Sequence, residues 1–220
     1  MSEKKDKRDE LLALVPSGAR RILDVGCADG ALGARLAAAG REVVGIERDE
    51  RSCGVAKGRL SQALSGDIEK LQLPFPKVYF DCILYADVLE HLLDPLGLLK
   101  KHGDCLSPDG CVIASIPNIR YYKVIIRLVF GGTWDYVDKG ILDKTHLRFF
   151  TLVNIKELFY SAGYEITEIK RNIVAARGFN ILNFLCFGCL NDFLAYQYYI
   201  KARKAENAAA APDKRRIEQF

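Results

Sequence analysis

The residues with the clearest chemical potential form a glycine-containing loop near the start of the chain. In the segment Ile22-Leu23-Asp24-Val25-Gly26-Cys27-Ala28-Asp29-Gly30-Ala31-Leu32-Gly33, an apolar run enters a loop of small residues and a helix-like run leaves it. Small residues let the backbone approach a ligand closely, and free N–H groups at a helix start meet its polar groups. Asp24 stands at the loop entrance, where a carboxylate attracts a cationic group and repels a phosphate.

Two further acidic residues follow predicted strands. Glu47 stands 21 residues after Gly26 at the end of an apolar run, and a carboxylate in that place accepts hydrogen bonds from a ribose diol. Asp67, in Ser65-Gly66-Asp67-Ile68, ends a short predicted strand, where the amino group of an adenine would need an acceptor. The three acids favour a nucleoside ligand that carries a positive charge and no phosphate.

The spacing of the loop glycines separates two classes of nucleotide-binding protein. Gly26 and Gly30 form Gly-x-x-x-Gly, whereas dinucleotide-binding folds use Gly-x-Gly-x-x-Gly. The 220 residues contain no Tyr-x-x-x-Lys pattern and leave no room for a second catalytic domain, so a nicotinamide-dependent reductase is the weaker alternative. S-adenosylmethionine has an ammonium, a ribose diol and an adenine but no phosphate, and it matches the three acids.

Four segments, in this order along the chain, resemble the motifs of class I S-adenosylmethionine-dependent methyltransferases, and the resemblance covers roughly residues 11–204. The loop resembles the first motif, with Ala28 where the family usually has glycine; the added methyl should be tolerated. Residues 80–95 are similar to the fourth-strand motif. The resemblance implies S-adenosylmethionine as cofactor, held by Asp24, Gly26, Cys27, Ala28, Gly30, Glu47, Arg48, Gly66, Asp67, Ile68, Tyr85, Ala86 and Asp87.

The second half of the chain is similar to a narrower bacterial and archaeal subgroup, often encoded beside glycosyltransferase and polysaccharide genes. Residues 115–122, 131–136 and 141–151 carry this resemblance. It implies methyl transfer to a hydroxyl or amine of a small polar acceptor, such as a sugar or a polysaccharide or glycolipid precursor. A non-catalytic partner protein that keeps the cofactor fold, like relatives in methionine biosynthesis, is the alternative.

Three residues are candidates for the chemical step. The cofactor's sulfonium is already activated, so the protein must place the nucleophile, exclude water and remove one proton. Imidazole is the side chain best suited to act as a base near neutral pH, which makes His91 and His146 candidates, and Asp143 could orient His146, although both histidines also suit structural roles. Aromatic and polar side chains of the insert are candidates for acceptor binding: Asn118, Arg120, Tyr121, Trp134 and Arg148. No metal site is expected.

The elements that must position these residues follow from the alternation of apolar runs with helix-like stretches. This alternation predicts an α/β fold with a doubly wound, mostly parallel sheet and helices on both faces. The resemblance extends this to a seven-stranded Rossmann-like sheet with an α-rich insert after the fifth strand. Strands are predicted over residues 20–25, 42–46, 62–65, 80–85, 111–116, 164–171 and 193–202. Helices are predicted over residues 31–39, 50–57, 95–102, 118–130 and from a cap at Thr151 to Gly163, with a turn at 108–110.

Length and charge indicate one domain. Residues 1–204 form the predicted domain, with 118–150 as substrate-side insert and 205–220 as a flexible tail. The net charge of +4 lies mostly in residues 201–220, which hold six basic and three acidic side chains. The folded body therefore lacks the basic stripe of a nucleic-acid-binding protein. The expected partner is a small molecule such as a nucleotide- or lipid-linked sugar, and the expected state is a monomer or homodimer.

Seven cysteines and one apolar run bear on location. The odd number of cysteines and the charged N-terminal run predict a reducing, cytoplasmic setting with inert thiols, including the pair Cys186 and Cys189. Residues 179–190 carry no charge, but this run is shorter than the roughly twenty residues that span a bilayer. A core helix is expected there, with at most peripheral membrane contact.

Overall fold

The computed structural model describes residues 7–174 and 189–205, and these contain a seven-stranded sheet. The strands follow the predicted runs closely because most of these runs have β-branched and aliphatic residues that fit a buried sheet. In chain order they are β1 (Arg21–Val25), β2 (Glu42–Glu47), β3 (Gln62–Ser65), β4 (Phe80–Ala86), β5 (Leu106–Pro117), β6 (Tyr164–Ile173) and β7 (Ala195–Lys204).

The strand order is β3-β2-β1-β4-β5-β7-β6. The pairs among β1 to β5 are parallel, and β7 is antiparallel to both β5 and β6. The predicted doubly wound, mostly parallel sheet is therefore confirmed. The chain leaves β3 at one edge and returns beside β1, so the order reverses between β1 and β4. Ligands of such sheets bind outside the carboxyl ends of the strands at this switch point.

Helices cover the sheet and enclose one apolar cluster on each face. Side chains of β1 alternate between the faces: Leu23 and Val25 belong to one cluster and Ile22 to the other. Asp24 follows the same alternation and is directed to the Ile22 face. The described helices are α1 (Lys7–Leu12), α2 (Ala31–Ala37), α3 (Glu50–Ala56), α4 (Pro95–Gly103), α5 (Tyr122–Gly131), α6 (Leu152–Ser161) and α7 (Asn191–Leu194).

Three predicted boundaries differ from the structure. The insert helix begins at Tyr122, four residues later than predicted, because Asn118 forms a bridge with Phe150 and donates its N–H to the Tyr196 carbonyl. The last strand begins at Ala195, since residues 191–194 form α7. The predicted turn at 108–110 lies inside β5, where the register to β4 is irregular. The insert holds one helix, and its remainder over residues 132–150 is irregular.

The predicted cap at Thr151 is present. Thr151 Oγ1 accepts the N–H of Asn154, and the Asn154 side chain returns a contact to the Thr151 N–H, which forms a capping box. Such caps supply partners for backbone groups that the first helical turn leaves unsatisfied. α6 therefore begins where the sequence predicted.

Some expectations fall on residues that the structure does not describe. Most of the apolar run 179–190, Cys186 and the tail from 206 onward lie outside the described residues. Within 7–174 and 189–205, no helix has the length and apolarity to cross a bilayer. The described cysteines are free thiols, as a reducing compartment would leave them; the cytoplasmic location stays a prediction.

Candidate active site

The glycine loop between β1 and α2 is held by the neighbouring strand. The N–H groups of Gly26 and Cys27 both donate to the Ile46 carbonyl, at 2.8 and 3.0 Å. Gly26 adopts φ +68°, and a Cβ there would lie 2.7 Å from a methyl of Val88. Glycine is therefore required at this position for both conformation and space.

Ala28 occupies a backbone conformation that favours glycine. Its φ is +48°, in the left-handed region that costs an L-residue roughly 1–2 kcal/mol. Its N–H donates to Glu47 Oε2 at 3.0 Å, so the strained loop is tied to the end of β2. The positive φ angle is thus a conformational reason why glycine suits this position, in addition to the methyl group that alanine adds.

Glu47 joins the loop to a second pocket beside β2. Its other oxygen, Oε1, accepts the N–H of Asp49 at 2.8 Å, which fixes the carboxylate at the carboxyl end of the strand. Asp67 is exposed and accepts the Glu69 N–H. The walls of this pocket include seven of the predicted cofactor residues: Gly26, Glu47, Arg48, Gly66, Asp67, Ile68 and Asp87.

Asp24 is buried beneath the loop with 1% of its surface exposed. In the described part of the chain, neither carboxylate oxygen has a hydrogen-bond partner. Burial raises the pKa of Asp24 to about 7; the nearby Gly33 N–H, which does not reach hydrogen-bond geometry, and the Arg8 guanidinium lower the pKa by less than burial raises it. A carboxylate that lacks a partner at the floor of a cleft is suited to a cationic ligand group. The cleft above it is also lined by Gly26, Cys27, Ala28, Ala86 and Asp87.

Two other loop residues serve mainly to pack the loop. Gly30 (φ +77°) lies against α3, where a Cβ would come within 3.2 Å of Ala56. The Cys27 thiol points toward β2. If Gly45 of β2 had a Cβ, that atom would lie 2.5 Å from the Cys27 Sγ. Burial raises the pKa of this thiol to about 12, so Cys27 stays neutral at neutral pH.

Asp87 stands where three pockets meet. It follows β4 with φ +56°, and its Oδ1 accepts hydrogen bonds from Ser115 Oγ at 3.0 Å and from the Gln197 amide. It lines the cleft above Asp24, the pocket beside Glu47 and a third pocket toward the insert. A ligand that filled the first two pockets would place its centre at Asp87, next to the third.

The third pocket contains the candidate catalytic residues. His91, from a short 3₁₀ turn after β4, and His146, from the insert, have ring centroids 4.6 Å apart in an edge-to-face arrangement. Asp143 and Glu90 line the same pocket. The topology thus brings together residues that are 55 positions apart in sequence.

The orientation of His146 differs from the prediction. Its Nδ1 lies 2.9 Å from the Ile141 carbonyl, whereas the Asp143 carboxylate accepts both the N–H and the hydroxyl of Thr145. These Thr145 bonds lower the pKa of Asp143, and burial lowers the pKa of His146. Asp143 is therefore an anion that shapes the insert turn, and the Ile141 carbonyl orients the neutral imidazole.

Tyr85 does not face the cofactor pockets. Its side chain is fully buried on the other side of β4, where its hydroxyl lies 2.7 Å from His102 Nδ1. Side chains of a strand alternate between the two faces, so Tyr85 is directed into the core below α4. Any contact of Tyr85 with a cofactor at the strand end would therefore involve its backbone, and the cofactor role of this position stays a prediction.

Asn118 is a structural residue rather than part of the acceptor pocket. It is fully buried, and its amide donates to the carbonyls of Asp192 and Ala195 at 2.6 and 2.8 Å. The neighbouring Arg120 places its guanidinium 4.6 Å from the centre of the Phe193 ring. Both residues therefore fasten the entry of α5 to α7 and β7.

The other predicted acceptor residues also lie outside the third pocket. Arg148 is exposed and donates to the Leu93 carbonyl, and Trp134 packs edge-on against Phe149. Tyr121 donates its hydroxyl to the Val174 carbonyl and lines a separate apolar groove beside α5. The pKa of Tyr121 is raised to about 12, mainly because the side chain is buried.

Sequence reasoning missed four residues that bring polar side chains to the third pocket. Lys139 and Glu90 are close in sequence to predicted site residues, and a buried acid directly before His91 is a local signal that could have been used. Tyr196 and Gln197 come from β7, which lies more than a hundred residues after Asp87. No spacing rule in a single sequence connects such distant positions.

The outer face of α5 is an exposed apolar surface. Ile126, Leu128, Val129 and Phe130 are each at least 42% exposed, and Phe130 reaches 84%. α5 has no acidic residue and carries exposed basic residues at positions 123 and 127. The apolar groove beside α5 adjoins the third pocket, because Lys139, Gly140 and Tyr196 line both.

Comparison with known proteins identifies the family of the chain. The profile of a family described as "Methyltransferase domain" matches residues 2–169. A ubiquinone biosynthesis O-methyltransferase of Cereibacter sphaeroides is 31% identical over 167 residues, which is 73% of this chain and 66% of the relative. The protein of that name from Dinoroseobacter shibae is 33% identical over 68% of this chain and 62% of its own length. The matches therefore span slightly less than two thirds of these relatives.

Solved structures share the fold. A SAM-dependent methyltransferase from Archaeoglobus fulgidus superposes with a TM-score of 0.66 at 19% identity, covering 90% of this chain and 92% of the other. An S-adenosylmethionine-dependent methyltransferase from Mesorhizobium loti gives a TM-score of 0.62 at 18% identity, covering 89% and 96%. At such identities the similarity establishes the fold alone.

Proposed function

The chain belongs to the class I S-adenosylmethionine-dependent methyltransferases, and from this premise we propose that it transfers the cofactor's methyl group to a hydroxyl of a small acceptor. One observation carries the proposal: the cleft over Asp24, the pocket beside Glu47 and the pocket with His91 and His146 all meet at Asp87. A methyl donor spanning the first two pockets would present its methyl group to the third.

The chemistry of the first two pockets suits the parts of the cofactor. Asp24, buried and without a partner in the described residues, would receive the ammonium of the methionine moiety. Glu47 is fixed by two backbone N–H groups and has lone pairs left for the ribose hydroxyls. Asp67 and Ile68 line the far end of the second pocket. There the Asp67 carboxylate can accept a hydrogen bond from an adenine amino group, and Ile68 can pack against the adenine ring.

The third pocket would hold the acceptor. Glu90, His91 and His146 supply the groups that can activate an acceptor oxygen next to the methyl donor. The relatives from Cereibacter sphaeroides and Dinoroseobacter shibae are named as O-methyltransferases, which favours a hydroxyl over an amine. In-line placement of that oxygen and exclusion of water are the main contributions the protein must make.

The surface beside the third pocket favours an amphiphilic acceptor. The apolar groove and the exposed face of α5 adjoin the polar pocket, so a polar head group could enter while an apolar tail lies along α5 or in a membrane surface. A lipid-linked sugar, as the subgroup resemblance implies, and an intermediate of ubiquinone biosynthesis, as the names of the relatives suggest, both have this form. The chain would then act as a peripheral enzyme, monomeric or dimeric.

Methyl transfer to defined acceptors tests the proposal. The full chain is incubated with S-adenosylmethionine labelled in the methyl group, with hydroxylated acceptors that carry a sugar or a phenol head group, each with and without an apolar tail. We expect label in an ether product, with a lower KM for the tailed acceptor of the preferred head group. At a cofactor concentration below saturation, Glu47→Ala should reduce the label at least about tenfold, and Glu157→Ala, an exposed acid on α6, should retain it. Binding of S-adenosylmethionine without transfer to any acceptor would favour the non-catalytic alternative.

A further inference from the structure

Glu90 is the least explained charged group near the third pocket. Only 1% of its surface is exposed, and neither carboxylate oxygen has a hydrogen-bond partner in residues 7–174 and 189–205. A buried carboxylate without a partner is costly to the folded protein, and buried charges are normally paired or coordinate a metal ion. Its backbone carbonyl, in contrast, accepts the N–H groups of Leu147 and Arg148, which fixes the residue against the insert.

Two imidazoles face this carboxylate. Glu90, His91 and His146 each offer a ligand atom, and the three atoms lie within 4.8 Å of one another. Atoms bound to one transition-metal ion at about 2.0–2.2 Å are separated by up to about 4.4 Å. Small side-chain movements would therefore bring all three atoms onto a single ion.

Both imidazoles are oriented through their second nitrogen. His146 Nδ1 lies 2.9 Å from the Ile141 carbonyl, and His91 Nδ1 lies 3.1 Å from the Thr145 carbonyl. A ring N–H that donates to a carbonyl leaves the lone pair on Nε2, and metal-binding histidines are usually held in this way. This contact also fixes the tautomer before any ligand arrives.

We propose that Glu90, His91 and His146 bind one divalent transition-metal ion. Two imidazole nitrogens with one carboxylate oxygen suit Zn²⁺, Co²⁺ or Mn²⁺ better than Mg²⁺. Three protein ligands leave at least one coordination position for water or substrate. That position faces the third pocket, whose other charged groups are Asp87, Asp143 and Lys139.

The ion gives the site a means of activating the acceptor, and this step rests on the proposed function. An acceptor hydroxyl that coordinates the ion has a lowered pKa, so its O–H bond breaks and the proton leaves to water. The metal-bound oxygen then forms a bond to the methyl carbon while the carbon–sulfur bond breaks. The electron pair stays on sulfur, and S-adenosylhomocysteine is released. In this scheme His146 is a metal ligand, whereas the sequence analysis named it as a candidate base and predicted no metal site.

Metal binding is measured directly on the full chain after treatment with a chelator. Calorimetry and thermal unfolding are recorded with Zn²⁺, Co²⁺ and Mn²⁺ salts, and the Co²⁺ form is also examined by visible absorption. We expect one ion per chain, a raised Tm and d–d bands typical of nitrogen and oxygen ligands. Glu90→Gln and His146→Gln should each weaken binding by at least about 100-fold, and Glu157→Gln should bind as the wild type does.

The same measurements can overturn the proposal. Absence of a bound ion in the wild-type chain, or equal affinity in the Glu90→Gln and wild-type chains, would assign the cluster to proton transfer or to structure. Unfolding of metal-free Glu90→Gln is recorded separately, and its Tm should not fall below that of the metal-free wild type, because a neutral amide replaces a buried acid that lacks a partner. Affinity of the metal-free wild type for S-adenosylmethionine is the independent readout: if that binding persists while metal binding fails, only the metal site is refuted.

Discussion

At the scale of single residues, the site depends on acids whose surroundings set their charge. Asp24 has a folded-state pKa of about 7, far above its ordinary value of 3.8, because it is buried. The native state therefore holds a proton that the unfolded chain has lost between about pH 4 and pH 7. The contribution of Asp24 to stability is fully present below about pH 4 and is lost as pH rises to about 7.

Burial makes ionisation of Asp24 unfavourable, and cofactor binding should offset this cost, because the ammonium of the cofactor stabilises the ionised form of Asp24. We expect the affinity of the chain for S-adenosylmethionine to rise roughly tenfold per unit from pH 5 to pH 7 and then to level off. Asp24→Asn should bind weakly with little dependence on pH over this range. Calorimetry at four pH values measures both curves; parallel curves for the two proteins would show that Asp24 does not meet the ammonium.

Residue identities were predictable where the contact is local. Asp24, Glu47 and Asp67 lie at or near the carboxyl ends of strands whose apolar runs are visible in the sequence, and parallel strands bring such ends to one edge. For Tyr85, the resemblance identifies a position in a motif but not the face of the strand to which the side chain points, and the structure directs this side chain into the core. Glu90 was overlooked because only the structure shows that its buried carboxylate has no partner among the described residues.

At the scale of elements, close packing of α2 on the sheet positions the loop. A Cβ on Gly33 in α2 would lie 2.7 Å from Leu60 Cδ2, 3.0 Å from Val43 Cγ1 and 3.1 Å from Asp24 Oδ2. Gly54 in α3 is also helical, but a Cβ there would have nothing within 4 Å. The two glycines form a matched pair in which only one is required by packing.

Gly33→Ala should therefore destabilise the protein by about 1–3 kcal/mol through overpacking. Gly54→Ala should stabilise it by up to about 1 kcal/mol, because alanine is the better helix former. Urea denaturation of both variants measures the free energy of unfolding. Equal effects of the two changes would show that α2 does not pack on the sheet as closely as described.

The entry of α5 depends on the buried amide of Asn118. Asn118→Ala removes two donors and leaves the carbonyls of Asp192 and Ala195 without that partner, so we expect a loss of about 1–3 kcal/mol. Affinity for S-adenosylmethionine should change less than twofold, since Asn118 lines none of the cofactor pockets. A lost affinity with an unchanged Tm would return Asn118 to the ligand site predicted from sequence.

Elements with a local signal were predicted well, and those set by distant contacts were not. The capping box at Thr151 consists of two residues three positions apart, and α6 begins as expected. The first residues of the predicted insert helix instead bond to β7 and to Phe150. Tertiary contacts thus overrode a helical pattern that was reasonable over residues 118–121.

At the scale of the whole molecule, charge and apolar surface are distributed unevenly between the cofactor pockets and α5. The cofactor pockets carry acids, whereas α5 carries exposed apolar side chains and basic residues but no acid. The net charge of the sequence conceals this contrast, because most of it lies in residues 201–220. An apolar face with basic flanks is typical of peripheral binding to anionic membranes.

The double variant Val129→Ser and Phe130→Ser should weaken binding to vesicles. Two side chains that are 65% and 84% exposed would enter the membrane surface, and their loss should reduce partitioning by at least about tenfold. Sedimentation with phosphatidylglycerol-containing vesicles measures this effect. Val153→Ser, an exposed valine on α6, is the matched control; equal loss in the control, or no loss in the double variant, would contradict a membrane-facing α5.

The central claim is that this chain binds S-adenosylmethionine across Asp24 and Glu47, and equilibrium binding tests it most directly. Isothermal titration of the full chain should show one site for S-adenosylmethionine and for S-adenosylhomocysteine, and no binding of NAD. Glu47→Ala should weaken the first two at least about tenfold, because a ribose hydrogen-bonded to a carboxylate is worth roughly 1.5–3 kcal/mol, while Glu157→Ala should match the wild type. Absence of S-adenosylmethionine binding, or an affinity that Glu47→Ala leaves unchanged, would contradict the account.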